Sequence, residues 1–269
     1  MRFEKWQALG NDYVIVEHDA LPFALTPPRV QALCAPHTGI GADGVLELSR
    51  SDEPGFVASL RVFNPDGSEA ELSGNGAREA ILYLRRAGWT DQAQFSIRTA
   101  AGELRPTILS ATTCRVDMGR ARDEGTGEIA GFRYQQVNVG NPQCSIRVQS
   151  EDELAAIALA EVGPAIEHDP RFPNRTNVSF WTPTGPATIR ARIFERGVGE
   201  TQSSGTGACG AAVAFALRGG DSPVTVQLDG GELEVDVDES LHVDLTGWAV
   251  PVYRGELSAE LVDELRRMA

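Results

Sequence analysis

The chain carries a second copy of itself. Gly10-Asn11-Asp12 returns as Gly140-Asn141-Pro142, and Ser73-Gly74-Asn75-Gly76-Ala77 returns as Ser204-Gly205-Thr206-Gly207-Ala208. The offset is 130 positions from Asn11 to Asn141 and 131 from Ser73 to Ser204. Matches kept in one order at a near-constant offset are the mark of duplicated structural units. Whatever the first half folds into, the second half must fold into a version of it. The 269 residues suit two domains of ordinary size.

Local signals agree between the halves. Short alternating or β-branched runs fill both, among them Tyr13-Val14-Ile15-Val16, Phe95-Ser96-Ile97-Arg98-Thr99 and Val224-Thr225-Val226-Gln227-Leu228. Turn signals such as Asn64-Pro65-Asp66-Gly67 and Asp229-Gly230-Gly231 separate them. Each half places one strong helix directly after its Ser-Gly-x-Gly-Ala motif. In the first, Ala77, Ala80, Ile81 and Leu84 recur at helical spacing and Gly88 supplies a stop. In the second, Ala208 through Leu217 is apolar or small all round, ending at Arg218-Gly219-Gly220. A helix without a polar face belongs in the interior. The expected architecture is α+β, two pseudo-symmetric domains that each wrap strands around a central helix. The charged, Gly-rich stretch from Arg120 to Gly131 sets the boundary, giving domains 1–125 and 126–269. A last amphipathic helix, Ala259 to Met268 with Ser258 as its cap, is free to return to the first domain.

Composition narrows the partners. A net charge of −14 argues against a nucleic-acid or anionic-membrane surface, because both are polyanions. With 42% hydrophobic and 23% charged residues the chain reads as soluble and globular. No segment reaches the length of a membrane span, and charges interrupt the N-terminal stretch where a signal peptide would be apolar, so a cytoplasmic location is expected. Cys34, Cys114, Cys144 and Cys209 show neither Cys-x-x-Cys pairing nor ligand spacing to the four histidines. They are expected as reduced thiols in packed positions, with no metal. Asn174-Arg175-Thr176 matches a glycosylation acceptor, which without a secretion signal is a chance match.

A Ser-Gly-x-Gly helix start has a definite physical character. Glycine admits a close approach to the backbone, the first-turn amides lack intrahelical partners, and the helix dipole draws an anion to that end. Two such ends, set face to face by pseudo-symmetry, would grip one carboxylate from both sides, with Ser73 and Ser204 on opposite flanks of its bearer. Taken singly, each serine is equally well a plain N-cap. Glu195-Arg196-Gly197 stands nine residues before Ser204, as Asn64 stands nine before Ser73. It ends the strand-like run Ala187 to Phe194, so the pair either projects into a cleft or remains a solvated ion pair. Asn11, Asn64, Asn75, Asn141 and Asn177 sit beside glycine, proline or strand ends. Singly these are turn residues; together they supply neutral donors and acceptors for a zwitterion.

The sequence resembles the diaminopimelate epimerase family over nearly its whole length. The resemblance rests on Ala8-Leu9-Gly10-Asn11-Asp12-Tyr13-Val14, Gly39-Ile40-Gly41-Ala42-Asp43-Gly44, Phe63-Asn64-Pro65-Asp66-Gly67-Ser68-Glu69 and Gly74-Asn75-Gly76-Ala77-Arg78. It continues through Val139-Gly140-Asn141-Pro142, Thr176-Asn177-Val178 and Glu195-Arg196-Gly197-Val198-Gly199-Glu200-Thr201. It implies curved, mostly antiparallel sheets around the two helices. It also implies an isomerase of lysine biosynthesis that interconverts LL- and meso-diaminopimelate without pyridoxal phosphate, metal or other cofactor. One cysteine of the family removes the α-proton and a second delivers one. The substrate-contacting positions carry over to Asn11, Asn64, Gly74, Asn75, Asn141, Asn177, Glu195, Arg196, Gly205 and Thr206. The ligand is then a small amino acid; pairing of two protomers as a homodimer is left open.

The two cysteine positions fall on Ser73 and Ser204, and the family's histidine after Asn-Pro falls on Gln143; Glu195 is retained. These four are the candidate catalytic residues. A thiol near pKa ~8.5 is lowered further at a helix N-terminus, whereas a serine needs a neighbouring base to act. Cys209, about 140° around the helix from Ser204, and Cys144, on the opposite face of a strand from Gln143, are expected to be core rather than substitute thiols. Three readings stand: an epimerase with activated serines or ordered water, aided by Glu195; an isomerase with a carboxylate base, as in the phenazine-biosynthesis isomerases that the fold resembles; and an amino-acid-binding protein without turnover. Glu79 and Glu200 are candidates for the carboxylate only by proximity, both being ordinarily solvated charges.

Overall fold

Runs with buried faces become strands, and each serine motif opens a helix. The computed structural model describes residues 1–268. Its first elements are β1 (Arg2–Ala8), β2 (Asn11–Glu17), α1 (Pro27–Cys34), β3 (Val45–Arg50), β4 (Phe56–Phe63), β5 (Glu69–Ala70) and α2 (Gly74–Arg86). Then come β6 (Ser96–Thr99), β7 (Gly102–Leu104), β8 (Pro106–Ile108), β9 (Thr113–Arg120), β10 (Arg122–Ile129), β11 (Phe132–Asn138) and β12 (Pro142–Arg147). After α3 (Glu151–Ala156) and α4 (Leu159–Glu167) follow β13 (Asn177–Gly185), β14 (Thr188–Glu195), β15 (Gly199–Thr201) and α5 (Gly205–Ala216). The chain closes with β16 (Val224–Leu228), β17 (Gly231–Val237), β18 (His242–Trp248), β19 (Val250–Glu256) and α6 (Ala259–Arg267).

These elements form two units, Met1–Arg115 with Trp248–Ala269, and Val116–Gly247. Within the first, the strand order is β19-β1-β2-β3-β4-β6-β7, with β5 added to β4. Within the second it is β10-β11-β12-β13-β14-β16-β17-β18-β9, with β15 added to β14. The duplication extends to the directions of five successive pairings in each unit. In the first unit β1·β2 is antiparallel, β2·β3 parallel, β3·β4 antiparallel, β4·β6 parallel and β6·β7 antiparallel. The second unit repeats that series in β11·β12, β12·β13, β13·β14, β14·β16 and β16·β17. Each series is flanked by one more antiparallel strand, β19 on β1 and β10 on β11.

Each serine motif starts the central helix of its unit, and a left-handed glycine, Gly88 or Gly219, follows the end of each. Helix α5 is buried from Gly207 to Phe215, as its unbroken apolar sequence requires. Helix α2 departs from its one-sided pattern: every residue from Asn75 to Leu84 is buried, including Arg78 and Glu79. Strands β1, β2, β3 and β19 pack against it, so residues outside the apolar stripe are carried inward with it.

The division of the chain differs from the expected 1–125 and 126–269. Arg122–Ile129, whose charge and glycine read as a linker, is strand β10, and its exposed residues belong to the edge of a sheet. The units part instead at Arg115, inside β9. Residues 248–269 belong to the first unit, because β19 pairs with β1 and Leu265 of α6 lies in the core with Phe3, Val14 and Leu33. Arg29 Nε donates to the Leu265 carbonyl at 2.8 Å, and Ser258 caps α6 through the Leu261 amide at 3.2 Å. All four cysteines are buried and none is in a disulfide. Among the described residues no helix is long and apolar enough to cross a membrane.

Candidate active site

The first half-site is built from the start of β2 and the first turn of α2. Ser73 is extended at φ −120° and ψ 125°, and its Oγ accepts the Gly76 amide at 3.1 Å. The N-cap role therefore holds, satisfying one amide at the positive end of the helix. The Tyr13 hydroxyl donates to the same Oγ at 3.1 Å. A serine oxygen has two lone pairs and one proton; with both lone pairs engaged, Ser73 is left to act as a donor. Tyr13 can come this close because Gly44 has no side chain. A Cβ there would stand 2.3 Å from the Phe63 carbonyl oxygen and 2.5 Å from Tyr13 Cε1.

Asn75 and Asn11 are locked together next to this serine. Asn75 Nδ2 donates to Asn11 Oδ1 at 3.2 Å, and the buried Arg78 donates to Asn75 Oδ1 at 2.6 Å and to the Gly74 carbonyl at 2.9 Å. Asn11 Nδ2 in turn donates to Asp43 Oδ2 at 2.8 Å, which also accepts the Asp12 amide at 3.0 Å. Lys5 pairs with Asp12 at 3.0 Å. Asn64 is tied to its own hairpin instead, through Ser68 Oγ at 3.0 Å.

The second half-site repeats the cap and adds a carboxyl. Ser204, at φ −142° and ψ 122°, accepts the Gly207 amide at 3.2 Å. Glu195 lies next to it, and its Oε1 accepts a hydrogen bond from Thr201 Oγ1 at 2.9 Å. Burial pushes the Glu195 carboxyl above the ordinary carboxylate range, and the Thr201 and Ser204 hydrogen bonds pull against it. Serine with an adjacent basic group is the arrangement that activates a hydroxyl. Gln143 is fully buried and donates from Nε2 to Asn141 Oδ1 at 2.6 Å; Asn141 Nδ2 donates to Thr206 Oγ1 at 3.2 Å. A neutral amide orients its neighbours but does not titrate. Asn177 Oδ1 accepts the Arg196 amide at 2.7 Å, while Arg196 Nη1 donates to the Asn174 carbonyl at 3.0 Å.

The carboxylate candidates separate. Glu200 is exposed and paired with Arg192 at 2.5 Å, as a solvated charge would be. Glu79 is not a surface charge: it is completely buried in α2. Burial raises its pKa well above the usual value, with Arg78 opposing the shift. Cys144 and Cys209 are both core, and burial pushes the Cys144 thiol up, away from use as a base. Tyr13 and Thr201 went unnoticed in the sequence. Tyr13 lies inside an apolar strand run, and its only signal is a hydroxyl two positions after Asn11; Thr201 sits within the matched Gly-Glu-Thr segment.

One grouping has metal-ligand spacing. Asp117, His242 and Asp244 bring ligand atoms within 4.8 Å of one another on β9 and β18. His242 Nε2 is already paired with Asp117 at 3.0 Å, and none of the three belongs to either half-site.

The family model for diaminopimelate epimerase matches residues 3–123 and 135–256. A diaminopimelate epimerase from Synechococcus sp. (strain JA-3-3Ab) is 39% identical, over 95% of this chain and 97% of the relative. One from Pelotomaculum thermopropionicum is 38% identical, over 95% and 98%. Among solved structures, a phenazine biosynthesis protein of the PhzF family from Bacillus anthracis superposes with a TM-score of 0.73 at 19% identity, covering 96% of this chain and 99% of that one. A hydroxyproline epimerase from Agrobacterium vitis gives 0.73 at 14% identity, covering 95% and 91%. At such identities these two structures establish a shared fold.

Proposed function

The chain belongs to the diaminopimelate epimerase family, and from that premise we propose that it epimerises diaminopimelate at the α-carbon, between the LL and meso forms, in lysine biosynthesis. Ser73 and Ser204 take the two positions that the family fills with catalytic cysteines. The observation that carries the reading is the Glu195 carboxyl, held by Thr201 Oγ1 at 2.9 Å beside Ser204, which offers one serine a neighbouring base. Ser204 accepts the α-proton as its hydroxyl proton passes to Glu195. Ser73 then returns a proton to carbon, and its oxygen, left negative, is held by the Tyr13 hydroxyl and the Gly76 amide. One C–H bond is broken and one formed, with no electron transfer. As the family resemblance implies, amide-rich helix starts receive the α-carboxylate, an anion suited to a helix N-terminus. Asn11, Asn75, Asn141, Asn177 and Arg196 are the polar groups for the rest of the zwitterion. Gln143 supports this arrangement through Asn141 and takes no proton itself.

A second reading, an amino-acid-binding protein without turnover, is favoured by Gln143 alone, since an amide there supplies no acid or base. The carboxylate-base isomerase loses ground, because Glu200 is engaged with Arg192. Diaminopimelate in deuterated water separates the remaining two. Loss of the α-hydrogen signal in NMR, catalysed by the unaltered protein, supports the epimerase. Binding without exchange, with exchange gained by Ser73→Cys and Ser204→Cys together, supports the binder. No binding in either form rejects this substrate.

A further inference from the structure

The turn after β14 carries Glu195 and Arg196 and closes through the Val198 amide on the Glu195 carbonyl at 3.0 Å. Its next two amides are both taken by buried side chains. Asn177 Oδ1 accepts the Arg196 amide at 2.7 Å, and Glu167 Oε1 accepts the Gly197 amide at 2.8 Å. Asn177 is only 4% exposed and Glu167 only 3%. Arg175 Nη1 donates to the same Glu167 oxygen at 3.2 Å, and His168 Nδ1 lies 3.6 Å from the other.

Glu167 is an odd choice for its place. It is the last residue of α4, where the negative end of the helix dipole repels a carboxylate, and burial adds a desolvation cost. Neither helix stability nor solubility explains it. Packing sets it under the turn: Phe194, the residue before Glu195, fills the space left by Gly163 of α4, where a Cβ would stand 2.5 Å from its ring. The helix is thus seated on the end of β14 with its last side chain aimed at the turn.

We infer that Glu167 is a positioning residue, gripping the Gly197 amide so that the turn keeps Glu195 in place on Thr201 and Arg196 in place on Asn177. This rests on the reading of Glu195 as the proton acceptor, and it adds the group that fixes Glu195 in place. Loss of the grip lets the turn swing and lets water reach Glu195. A misplacement of about 1 Å can cost on the order of a hundredfold in rate.

The test reads Glu195 directly. In protein labelled with 13C-glutamate, the Glu195 carboxyl is the resonance lost in Glu195→Gln, and its titration is followed in the wild type, Glu167→Ala and Glu167→Gln. The wild-type midpoint lies above the ordinary carboxylate range. In Glu167→Ala it moves down, and α-hydrogen exchange slows about a hundredfold. Glu167→Gln keeps an acceptor for the Gly197 amide and restores both. If Glu167→Ala does not fold, Glu167→Asp, which shortens the reach, takes its place in the comparison. A folded variant with the Glu195 midpoint unmoved overturns the inference. A wild type that shows no exchange, yet whose Glu195 midpoint responds to Glu167→Ala, sinks the epimerase reading and still supports the grip.

Discussion

Replacing Glu79 with glutamine should stabilise the protein, and more at neutral pH than in acid. The carboxyl is fully buried within α2, and neither oxygen accepts a hydrogen bond of normal geometry. Burial dominates the upward shift; Arg78 opposes it, and the Asp12 and Asp43 charges add to it. In the unfolded chain the same group ionises near its ordinary 4.5. Above that pH the folded state keeps a proton that the unfolded state has released. Stability therefore falls as pH rises, by about 1.4 kcal/mol per unit, until the folded carboxyl also ionises. Between the ordinary value and neutrality the ceiling is about 3 kcal/mol. Glutamine has no such proton and escapes the slope, while every other titrating group is common to both proteins. Urea unfolding of the two proteins near pH 5 and near pH 7 should show the stability gap widening with pH, by at most about 3 kcal/mol. A gap that stays constant over that range refutes the reasoning, because folded and unfolded Glu79 would then bind the same number of protons.

Gly44→Ala should cost about 1–3 kcal/mol in denaturant unfolding. It should also slow α-hydrogen exchange, since the new Cβ pushes the Tyr13 ring away from Ser73. Ser73→Ala and Ser204→Ala each remove a cap bond, and each should lower unfolding stability by about 1 kcal/mol, apart from any effect on exchange. The raised Glu195 carboxyl must ionise to serve as a base, so the exchange rate should climb with pH through a point above the ordinary carboxylate range. In Glu195→Gln that rise should vanish from the pH–rate profile. Leu265→Ala should cost about 2–5 kcal/mol by calorimetry or urea unfolding, because α6 seats a fully buried side chain in the first unit's core.

Much of this was legible because helix signals are local. A serine before Gly-x-Gly and a glycine after the last turn act within a few residues, so the starts and stops of α2 and α5 could be read from the chain. The buried position of α5 followed from its composition, since no polar residue interrupts it. That of α2 did not, because Arg78 and Glu79 are enclosed by strands distant in sequence, and no periodicity reports that. The boundary was misplaced for a related reason: the outer face of the edge strand β10 has a linker's composition, while the real parting within β9 has no composition of its own. In the half-sites, the duplicated motif marked both serines as helix N-caps, while a role for Glu195 was suggested by the family resemblance rather than by its spacing. The hydroxyl of Tyr13 and the carboxylate of Glu167 act through tertiary contacts with residues 60 and 30 positions away, which sequence spacing alone does not encode.

The pairing of β19 with β1 has a consequence for synthesis on the ribosome. Strand β1 keeps one edge unfilled until β19, made much later in the chain, arrives to cover it. Val116 to Gly247 is contiguous, so that unit can be assembled while the earlier-made one still waits. A chain ending after Gly247 would leave that edge of β1 offering bare amides and carbonyls to any neighbour, a template for aggregation. Strand β19 thus acts as the closing seam of its unit.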